Sequence, residues 1–265
     1  MDDMTKGGNK MLMTIDVGNT NTVFGAFDDN ERLVFGMRIE TNASRMADEY
    51  TVLISNYLAL NDIPAKEITS AIISSVVPPV TEQIRTSLRR LFGIDCMIVG
   101  PGVRTGLNIR IDDPATLGAD MCCAGVAAKA FYPLPSIIID LGTASKVLAV
   151  NEKGDFLGGV IAVGVEMAFK ALSSGTAALP LISGGAVSHA IGTNTVDSMR
   201  SGVIIGMASM IDGFITRFTK EMGSVRSIVA TGGYSPLVMP YCENEMIYDA
   251  DLLLKGMLAI YKRNR

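Results

Sequence analysis

After a polar start, the chain consists of short apolar runs separated by turn residues. Alternating or β-branched runs of this length are typical of strands, and apolar positions three and four residues apart are typical of helices. The elements predicted for the first part of the chain are strands at 11–17, 22–28 and 32–39, a helix at 46–60 capped by Ser44, a strand at 71–78, a helix at 80–92 and a strand at 96–100. This order indicates a mixed sheet with helices packed against it.

The same strand–turn–strand pattern returns in the second half of the chain. The sequence DLGT at 140–143 follows an apolar run, as DVGN at 16–19 does about half the chain earlier. The further predicted elements are a helix at 116–131, helices near 164–178 and 195–222, a strand at 225–230 and a helix at 249–263. We interpret the pattern as an internal duplication and predict an α/β fold of two similar halves.

The repeat also predicts how the chain is divided. We expect a flexible N-terminal segment at 1–10, an N-terminal half at 11–115 and a C-terminal half at 116–265. Each half is long enough to bury a hydrophobic core of its own, because domains of about 100–150 residues are common.

Composition narrows the class of protein. The 265 residues carry a formal net charge of −4 without a basic cluster, which argues against nucleic acid as a partner. Four cysteines without CxxC spacing and a single histidine argue against a zinc site or a disulfide framework. The apolar runs are interrupted well before about 18 residues, so no membrane span is predicted. The start of the chain is unlike a signal peptide, and we expect a soluble cytoplasmic enzyme.

The repeated turn combines an acid, a glycine and small hydrogen-bonding side chains. A glycine turn lets backbone N–H groups approach an anion, whereas a carboxylate beside a phosphate repels it unless a cation lies between them. Asp16 and Asp140 are therefore predicted to hold hard cations on a nucleotide, directly or through water. Two such hairpins could hold a triphosphate between the halves. For either copy alone, an ordinary Asx-turn hairpin is the alternative.

These features resemble the actin, hexokinase and heat-shock-chaperone ATPase superfamily, and within it the chain is most similar to the type III pantothenate kinases. The resemblance covers about residues 12–263. It is carried by DVGNTNTVFG (16–25), SSVVP (74–78), LGAD (117–120), DLGTA (140–144), GGVIAVG (158–164), TAALP (176–180), IGTNTVDSMRSGVIIG (191–206) and ATGG (230–233). It implies a duplicated actin-like (ribonuclease H-like) ATPase fold with mixed five-stranded sheets flanked by helices.

The resemblance also implies an activity. Enzymes of this family phosphorylate the primary hydroxyl of pantothenate from ATP, which is the first step of coenzyme A biosynthesis. They use Mg²⁺ and a monovalent cation, K⁺ or NH₄⁺, and act as homodimers.

Roles for individual residues follow from the matched motifs. Asp120 matches the general base, Asp140 matches the carboxylate assigned to the monovalent cation, and Asp16 is expected to hold Mg²⁺ through water. The expected ATP-binding residues are Asp16, Val17, Gly18, Asn19, Thr20, Asn21, Thr22, Val23 and Thr143. The expected acceptor-binding residues are Gly118, Ala119, Asp120, Met121 and Thr195, the last of which could also cap a helix.

Four positions depart from the family pattern. Met121 replaces the arginine that is expected to meet the pantothenate carboxylate, and Ile111 replaces a tyrosine. Lys146 lies in the motif after the second aspartate, where threonine is usual, and Val163 replaces a proline. A methionine cannot make the charge-assisted contact of an arginine.

Three hypotheses therefore stay open. The protein phosphorylates pantothenate with Lys146, Arg104 or Arg110 supplying the missing cation, it phosphorylates another small acceptor, or it binds nucleotide without catalysis and acts as a regulator. The position of Lys146 distinguishes the first two hypotheses. If the Lys146 ammonium reaches the acceptor pocket, a substrate with a carboxylate is favoured. An ammonium that pairs with Asp16 or Asp140 would instead occupy a cation site and weaken the need for K⁺.

Two further expectations concern apolar and thiol side chains. The methionines and small residues of the predicted helix at 195–222 favour a core or a dimer face. Cys122 and Cys123 adjoin Asp120, so the site is expected to be sensitive to thiol reagents.

Overall fold

The computed structural model describes residues 10–265, so all of the expected N-terminal segment 1–10 except Lys10 lies outside the described residues. The strands are β1 (Met11–Val17), β2 (Asn21–Phe27), β3 (Leu33–Glu40), β4 (Ile68–Ser75), β5 (Met97–Ile98), β6 (Asn108–Ile109), β7 (Ser136–Leu141), β8 (Ala144–Val150), β9 (Asp155–Val163), β10 (Ser227–Thr231) and β11 (Ile247–Tyr248). The helices are α1 (Ala47–Leu60), α2 (Pro78–Phe92), α3 (Ala119–Phe131), α4 (Val165–Ser174), α5 (Thr195–Met222), α6 (Ser235–Val238) and α7 (Leu252–Arg263).

The two sheets share one strand order. The first is β3-β2-β1-β4-β5, and the second is β9-β8-β7-β10-β11 with β6 added beyond β9. In the first sheet β1 pairs antiparallel with β2, and β2 with β3; in the second sheet β7 pairs antiparallel with β8, and β8 with β9. The strands β1 and β7 each have a parallel neighbour on the other side, β4 and β10 respectively. The predicted α/β class and the duplication are confirmed. The second sheet has six strands rather than five, because the two residues of β6 pair with β9.

The chain forms two compact units. Among the described residues, the first unit contains 10–106, Leu117–Val126 and Leu253–Arg265, and the second contains Leu107–Thr116 and Ala127–Leu252. The expected division at residue 115 concerns folding domains and stays a prediction. The C-terminal helix α7 belongs almost entirely to the first unit.

Each unit has its own hydrophobic core. In the first, buried side chains of the sheet pack against one face of α1 and one face of α2, each made of residues four apart: Tyr50, Ile54, Leu58, Val80, Ile84 and Leu88. In the second, strand β7 packs against the buried face of α5, which includes Ile204, Ile211 and Ile215. The helical spacing of the apolar positions, which predicted these helices, is therefore the spacing of their buried faces.

The ends of the helices follow local rules with one exception. Helix α2 starts with Pro78 in its first turn and ends at Gly93, whose φ of 67° is left-handed. Ser44 does not cap α1, contrary to the prediction. The N–H of Met46 instead donates to Glu49 Oε2 at 2.8 Å, because the acid three residues into the helix turns back over its start.

Helix α5 is the one helix of residues 10–265 that by length and composition could cross a membrane. In its most apolar stretch 33% of the helix is buried. The buried face forms part of the core of the second unit. A core helix with one packed face meets the same criteria, so the apolar character of α5 is accounted for by packing.

Close packing of α7 on α3 gives the first testable prediction. A side chain on Gly256 would overlap the backbone carbonyl of Cys123, whereas a side chain on Gly36 would meet nothing within 4 Å. We expect Gly256→Ala to lower the free energy of unfolding by about 1–3 kcal/mol, as overpacking does. Gly36→Ala is the control and should leave it unchanged or raise it by up to about 1 kcal/mol. Urea denaturation checks both, and equal stability of the two variants would contradict the observed packing.

Candidate active site

The first hairpin of the chain has the features of an anion cradle. Strands β1 and β2 are joined by residues 18–21, and the N–H of Gly18 donates to the carbonyl of Asn21 at 3.0 Å. Asn19, Thr20 and Asn21 are exposed. A Cβ on Gly18 would lie 3.1 Å from the carbonyl oxygen of Asn21, so the tight turn favours glycine. The turn offers small polar side chains and backbone amides to an anion.

Thr41, directly after β3, holds this turn in place. Its hydroxyl donates to the carbonyl of Gly18 at 2.7 Å and lies 2.8 Å from the hydroxyl of Thr22. Its N–H donates to the carbonyl of Thr20 at 2.9 Å. Thr22 is fully buried, so its hydroxyl is used within the hairpin. Its contact with ATP stays a prediction, and Thr41 is a residue that the motifs did not reveal.

Asp16 lies at the end of β1, half-buried, next to the turn. The parallel register places Ser74 of β4 beside it, and the Ser74 hydroxyl donates to Asp16 Oδ1 at 3.1 Å. On the other side its register partner is Val23, which brings no charge. The sheet therefore places a neutral donor beside this carboxylate.

Asp120 lies in the first turn of α3. Its Oδ1 accepts a hydrogen bond from the N–H of Met121 at 2.8 Å, and the carbonyl of Gly118 accepts from the N–H of Cys122. A Cβ on Gly118 would lie 2.6 Å from Asp120 Oδ1. Glycine at 118 therefore gives the carboxylate room to turn back over the helix start, where the helix dipole favours negative charge.

Both acids of the first unit affect one buried thiol, that of Cys123. This thiol is fully buried, and burial is the main cause that raises its pKa well above the usual value. The charges of Asp16 and Asp120 also raise the Cys123 pKa, while a hydrogen bond with Ser74 lowers it. The charges of the expected metal ligand and of the expected base thus act on the same thiol.

The second hairpin differs at the corresponding acid. Asp140 and Lys146 are register partners on β7 and β8, and Lys146 Nζ lies 2.7 Å from Asp140 Oδ2. Only 16% of the Lys146 side chain and 12% of the Asp140 side chain are exposed, so water screens this ion pair weakly. The carboxylate expected to hold a monovalent cation is therefore held by an ammonium of the same chain.

Other residues of the second hairpin divide between solvent and core. Thr143 is exposed in the turn, where the N–H of Gly142 donates to the carbonyl of Ala144 at 3.3 Å. Ser145 is 1% exposed, and its hydroxyl has no partner within residues 10–265. Thr143 is thus accessible for its expected ATP contact, whereas Ser145 is not.

Thr195 is the exposed first residue of α5. It does not cap the helix, because Asn194 is the cap and accepts a hydrogen bond from the N–H of Asp197 at 2.9 Å. Thr195 lines an open depression of about 580 Å³ together with Leu172, Leu179, Gly192, Thr193, Asn194, Ser198, Met199 and Gly202. Its hydroxyl is therefore not required for capping and borders space that a ligand could enter.

The residues that depart from the family pattern lie in both units. Met121 is half-buried in the first turn of α3, and Ile111 is half-buried near Gly158 of β9. Of the three cations considered for the acceptor carboxylate, Lys146 pairs with Asp140 and Arg110 pairs with Asp155 at 3.3 Å. The backbone of Arg104 exchanges hydrogen bonds with the Asn264 side chain, and the residue is exposed.

The expected site residues are therefore grouped by unit. The first unit contains the hairpin from Asp16 to Val23 and the segment Gly118, Ala119, Asp120 and Met121. The second contains Asp140, Thr143 and Thr195. Within the part of the chain that the structure describes, no three His, Cys, Asp or Glu side chains are grouped to hold a metal. Mg²⁺ commonly needs only one or two carboxylates besides substrate phosphates, and Asp16 fits that requirement.

Fold and site define a class of protein, the actin-like ATPases with a duplicated acid–glycine hairpin. The family model of type III pantothenate kinase matches residues 12–217. The type III pantothenate kinase of Halalkalibacterium halodurans is 39% identical over 96% of this chain and 100% of its own length. The enzyme of Koribacter versatilis is 40% identical over 96% of each. The chain belongs to the type III pantothenate kinase family.

Solved structures agree on the fold. A Campylobacter jejuni protein described as a putative Baf family transcriptional activator has a TM-score of 0.55 at 17% identity, covering 95% of this chain and 97% of its own. The Acidaminococcus fermentans (R)-2-hydroxyglutaryl-CoA dehydratase component A has a TM-score of 0.55 at 15% identity, covering 97% and 100%. At such identities the likeness establishes the fold alone.

The hydroxyl of Thr41 should affect nucleotide binding. Thr41→Val removes the donor to Gly18 and the partner of the buried Thr22 hydroxyl, so we expect a stability loss of about 1–3 kcal/mol and an ATP Kd raised about tenfold. Thr41→Ser should restore both. Isothermal titration with a non-hydrolysable ATP analogue measures the binding.

Thr51→Val is the matched control for this prediction. The Thr51 hydroxyl donates to the carbonyl of Ala47 at 2.8 Å, away from the hairpin, so its loss should lower stability without changing the ATP Kd. An unchanged ATP Kd in Thr41→Val would show that nucleotide binding by the turn does not depend on the Thr41 hydroxyl.

The cysteines should resist thiol reagents, contrary to the expectation from sequence. Burial raises the pKa of all four thiols, that of Cys122 to about 11. At pH 8 this lowers the thiolate fraction of Cys122 about 100-fold relative to a thiol with a pKa of 9, and reactivity should rise with pH. We expect slow reaction with an aromatic disulfide reagent in the native protein and rapid reaction of four thiols after denaturation. Rapid loss of activity at pH 8 would contradict this.

Proposed function

We propose that the protein is an ATP-dependent kinase that phosphorylates the primary hydroxyl of pantothenate. The observation that carries the proposal is the tight glycine turn beside Asp16, whose carboxylate accepts a hydrogen bond from Ser74, in the unit that also contains Asp120 at the start of α3. Membership of the type III pantothenate kinase family supplies the reaction class. The reaction would begin the biosynthesis of coenzyme A in the cytoplasm.

The first hairpin would bind the phosphates of ATP. Backbone amides and the exposed side chains of Asn19, Thr20 and Asn21 can donate to phosphate oxygens, and Thr41 fixes the turn that carries them. Asp16 would hold Mg²⁺ directly or through water, in an orientation set by Ser74. Bound Mg²⁺ neutralises charge on the phosphates during transfer. The expected contact of Thr143 with ATP belongs to the same proposal.

Asp120 would act as the general base. Phosphoryl transfer requires the attacking hydroxyl to be held in line with the γ-phosphorus and to lose its proton as it attacks. The hydrogen bond from the N–H of Met121 orients the Asp120 carboxylate, which as an ionised acid can accept several hydrogen bonds. Gly118 and Ala119 would shape the start of the helix against the acceptor, and Thr195 would contact it.

The partner of the acceptor carboxylate is the part of the proposal that the departures affect most. Lys146 and Arg110 are engaged by acids of the chain, which leaves Arg104 as the preferred cation among the three considered. A kinase acting on an acceptor without a carboxylate is the second candidate function. The observation that favours it is Met121, which offers an apolar surface where the family has an arginine.

We also propose that the protein is a homodimer. Gly202 and Gly206 on α5 are exposed, and a Cβ on either would meet nothing within 4 Å, so another helix could approach closely there. Light scattering that finds only the monomer mass would exclude the dimer.

Removing the base should separate binding from turnover. Asp120→Asn keeps the shape of the side chain but removes the proton acceptor, so we expect pantothenate-dependent ADP release to fall about 10²–10⁴-fold while the ATP Kd stays the same. Asp197→Asn, at an exposed position in the first turn of α5, is the control and should keep full turnover. Equal turnover of Asp120→Asn and the unmodified protein would remove Asp120 from the mechanism.

Restoring the family arginine tests the acceptor. If pantothenate is the substrate, Met121→Arg gains a charge-assisted contact with its carboxylate and should lower the pantothenate KM about 10–100-fold. Met121→Gln has no positive charge and should leave KM nearly unchanged. Steady-state kinetics with pantothenate and with its alcohol analogue, which lacks the carboxylate, provide the measurement. A KM lowered equally for both compounds would argue for an acceptor recognised without charge.

A further inference from the structure

The second hairpin of the chain contains a positive charge of its own. Lys146 Nζ lies 2.7 Å from Asp140 Oδ2, at the position where the family resemblance implies a free monovalent cation. Gly142 lies on the side of the other carboxylate oxygen, and its Cβ, if present, would be 3.5 Å from Asp140 Oδ1. The acid is therefore enclosed by its own hairpin and its own cation.

The register explains why this arrangement is stable. Asp140 and Lys146 face each other across β7 and β8. Because the strand pairing already places the two side chains opposite each other, forming the ion pair requires little further loss of side-chain freedom. In the first hairpin the same cross-strand position opposite Asp16 is Val23. At this cross-strand position the two copies of the hairpin thus differ by a charge.

A free K⁺ ion does not fit beside this pair. Both side chains are largely desolvated, with 16% and 12% exposure, so a second positive charge at the same carboxylate would be repelled with little screening by water. A lysine ammonium has the same charge as K⁺ or NH₄⁺, and like NH₄⁺ it donates hydrogen bonds to carboxylate oxygens.

We propose that Lys146 is a tethered cation that takes the place of a free monovalent ion at Asp140, so that this protein neither binds nor requires K⁺ or NH₄⁺ there. The consequence for ion binding depends only on the pair itself. The consequence for turnover rests on the proposed kinase function.

The test compares the response to different cations at one ionic strength. Thermal unfolding and pantothenate-dependent ADP release are measured in choline, sodium, potassium and ammonium chloride. For the unmodified protein we expect the same Tm and the same rate in all four salts. A Tm or rate that rises selectively with K⁺ or NH₄⁺ would overturn the proposal.

Neutral variants should convert the pair into an ion site. In Lys146→Met, Asp140 loses its partner, so we expect a lower Tm in choline or sodium and selective recovery in potassium or ammonium. ADP release should become dependent on these ions by about tenfold or more. Lys146→Gln provides a second neutral variant if Lys146→Met does not fold. A folded neutral variant without any selective response would show that the pair is an ordinary structural ion pair and would overturn the proposal.

Two controls identify the source of the response. The double variant Asp140→Asn/Lys146→Met lacks both charges and should show no selective cation effect. Lys170→Met removes an exposed lysine from its ion pair with Glu166 and should behave as the unmodified protein does in every salt. If no variant releases ADP with pantothenate but the thermal results follow these expectations, the kinase proposal fails and the tethered cation stands.

Discussion

A carboxylate at the end of a buried strand must be stabilised by a hydrogen-bond donor or a cation, and the repeated hairpin is organised around this constraint. Strand β1 delivers Asp16 and strand β7 delivers Asp140 to equivalent positions of equivalent sheets. The first acid receives a neutral hydroxyl from Ser74, and the second receives the ammonium of Lys146. We propose that the first acid holds Mg²⁺ on a nucleotide and that the second is neutralised by its own lysine.

Small residues position the second acid of the first unit. Gly118 gives the Asp120 carboxylate space to fold over the start of α3, and Gly256 lets α7 pack directly on the backbone of the same helix. The buried Cys123, one turn further along α3, has its pKa raised by burial and by the charges of Asp16 and Asp120, so it adds no charge there. Close packing of the backbone around α3 therefore contributes to the position of the proposed base.

Helices and strands whose apolar residues recur with a clear period could be predicted from the sequence. The apolar runs of β1 and β7 and the four-residue spacing in α1 and α2 predicted elements whose buried faces the structure contains. The two-residue strands β6 and β11 were not predicted, because neither lies in a longer apolar run, whereas the equally short β5 was predicted from the apolar run at 96–100. The prediction that Ser44 caps α1 was wrong, because the Glu49 side chain accepts the hydrogen bond from the N–H of Met46 at the start of the helix.

The candidate site was predictable as a set of motifs but not as a set of contacts. The acids and the glycine turns were visible in the sequence, whereas Thr41 lies 19 residues beyond Thr22 and meets it only through the pairing of β2 with β3. The sequence left two roles open for Lys146, and the cross-strand register with Asp140 decides between them. Side chains brought together by sheet register are hidden from a motif search, because strand pairing is a tertiary property.

The most direct test of the central claim is the chemical identity of the product. Phosphorus NMR of a reaction containing ATP, Mg²⁺ and pantothenate would detect a new phosphate monoester coupled to the methylene protons of the primary alcohol. We predict this signal, together with an equal amount of ADP, in a buffer that contains neither K⁺ nor NH₄⁺. Inorganic phosphate alone, or no turnover from protein that still binds ATP, would contradict the assignment of pantothenate as the acceptor.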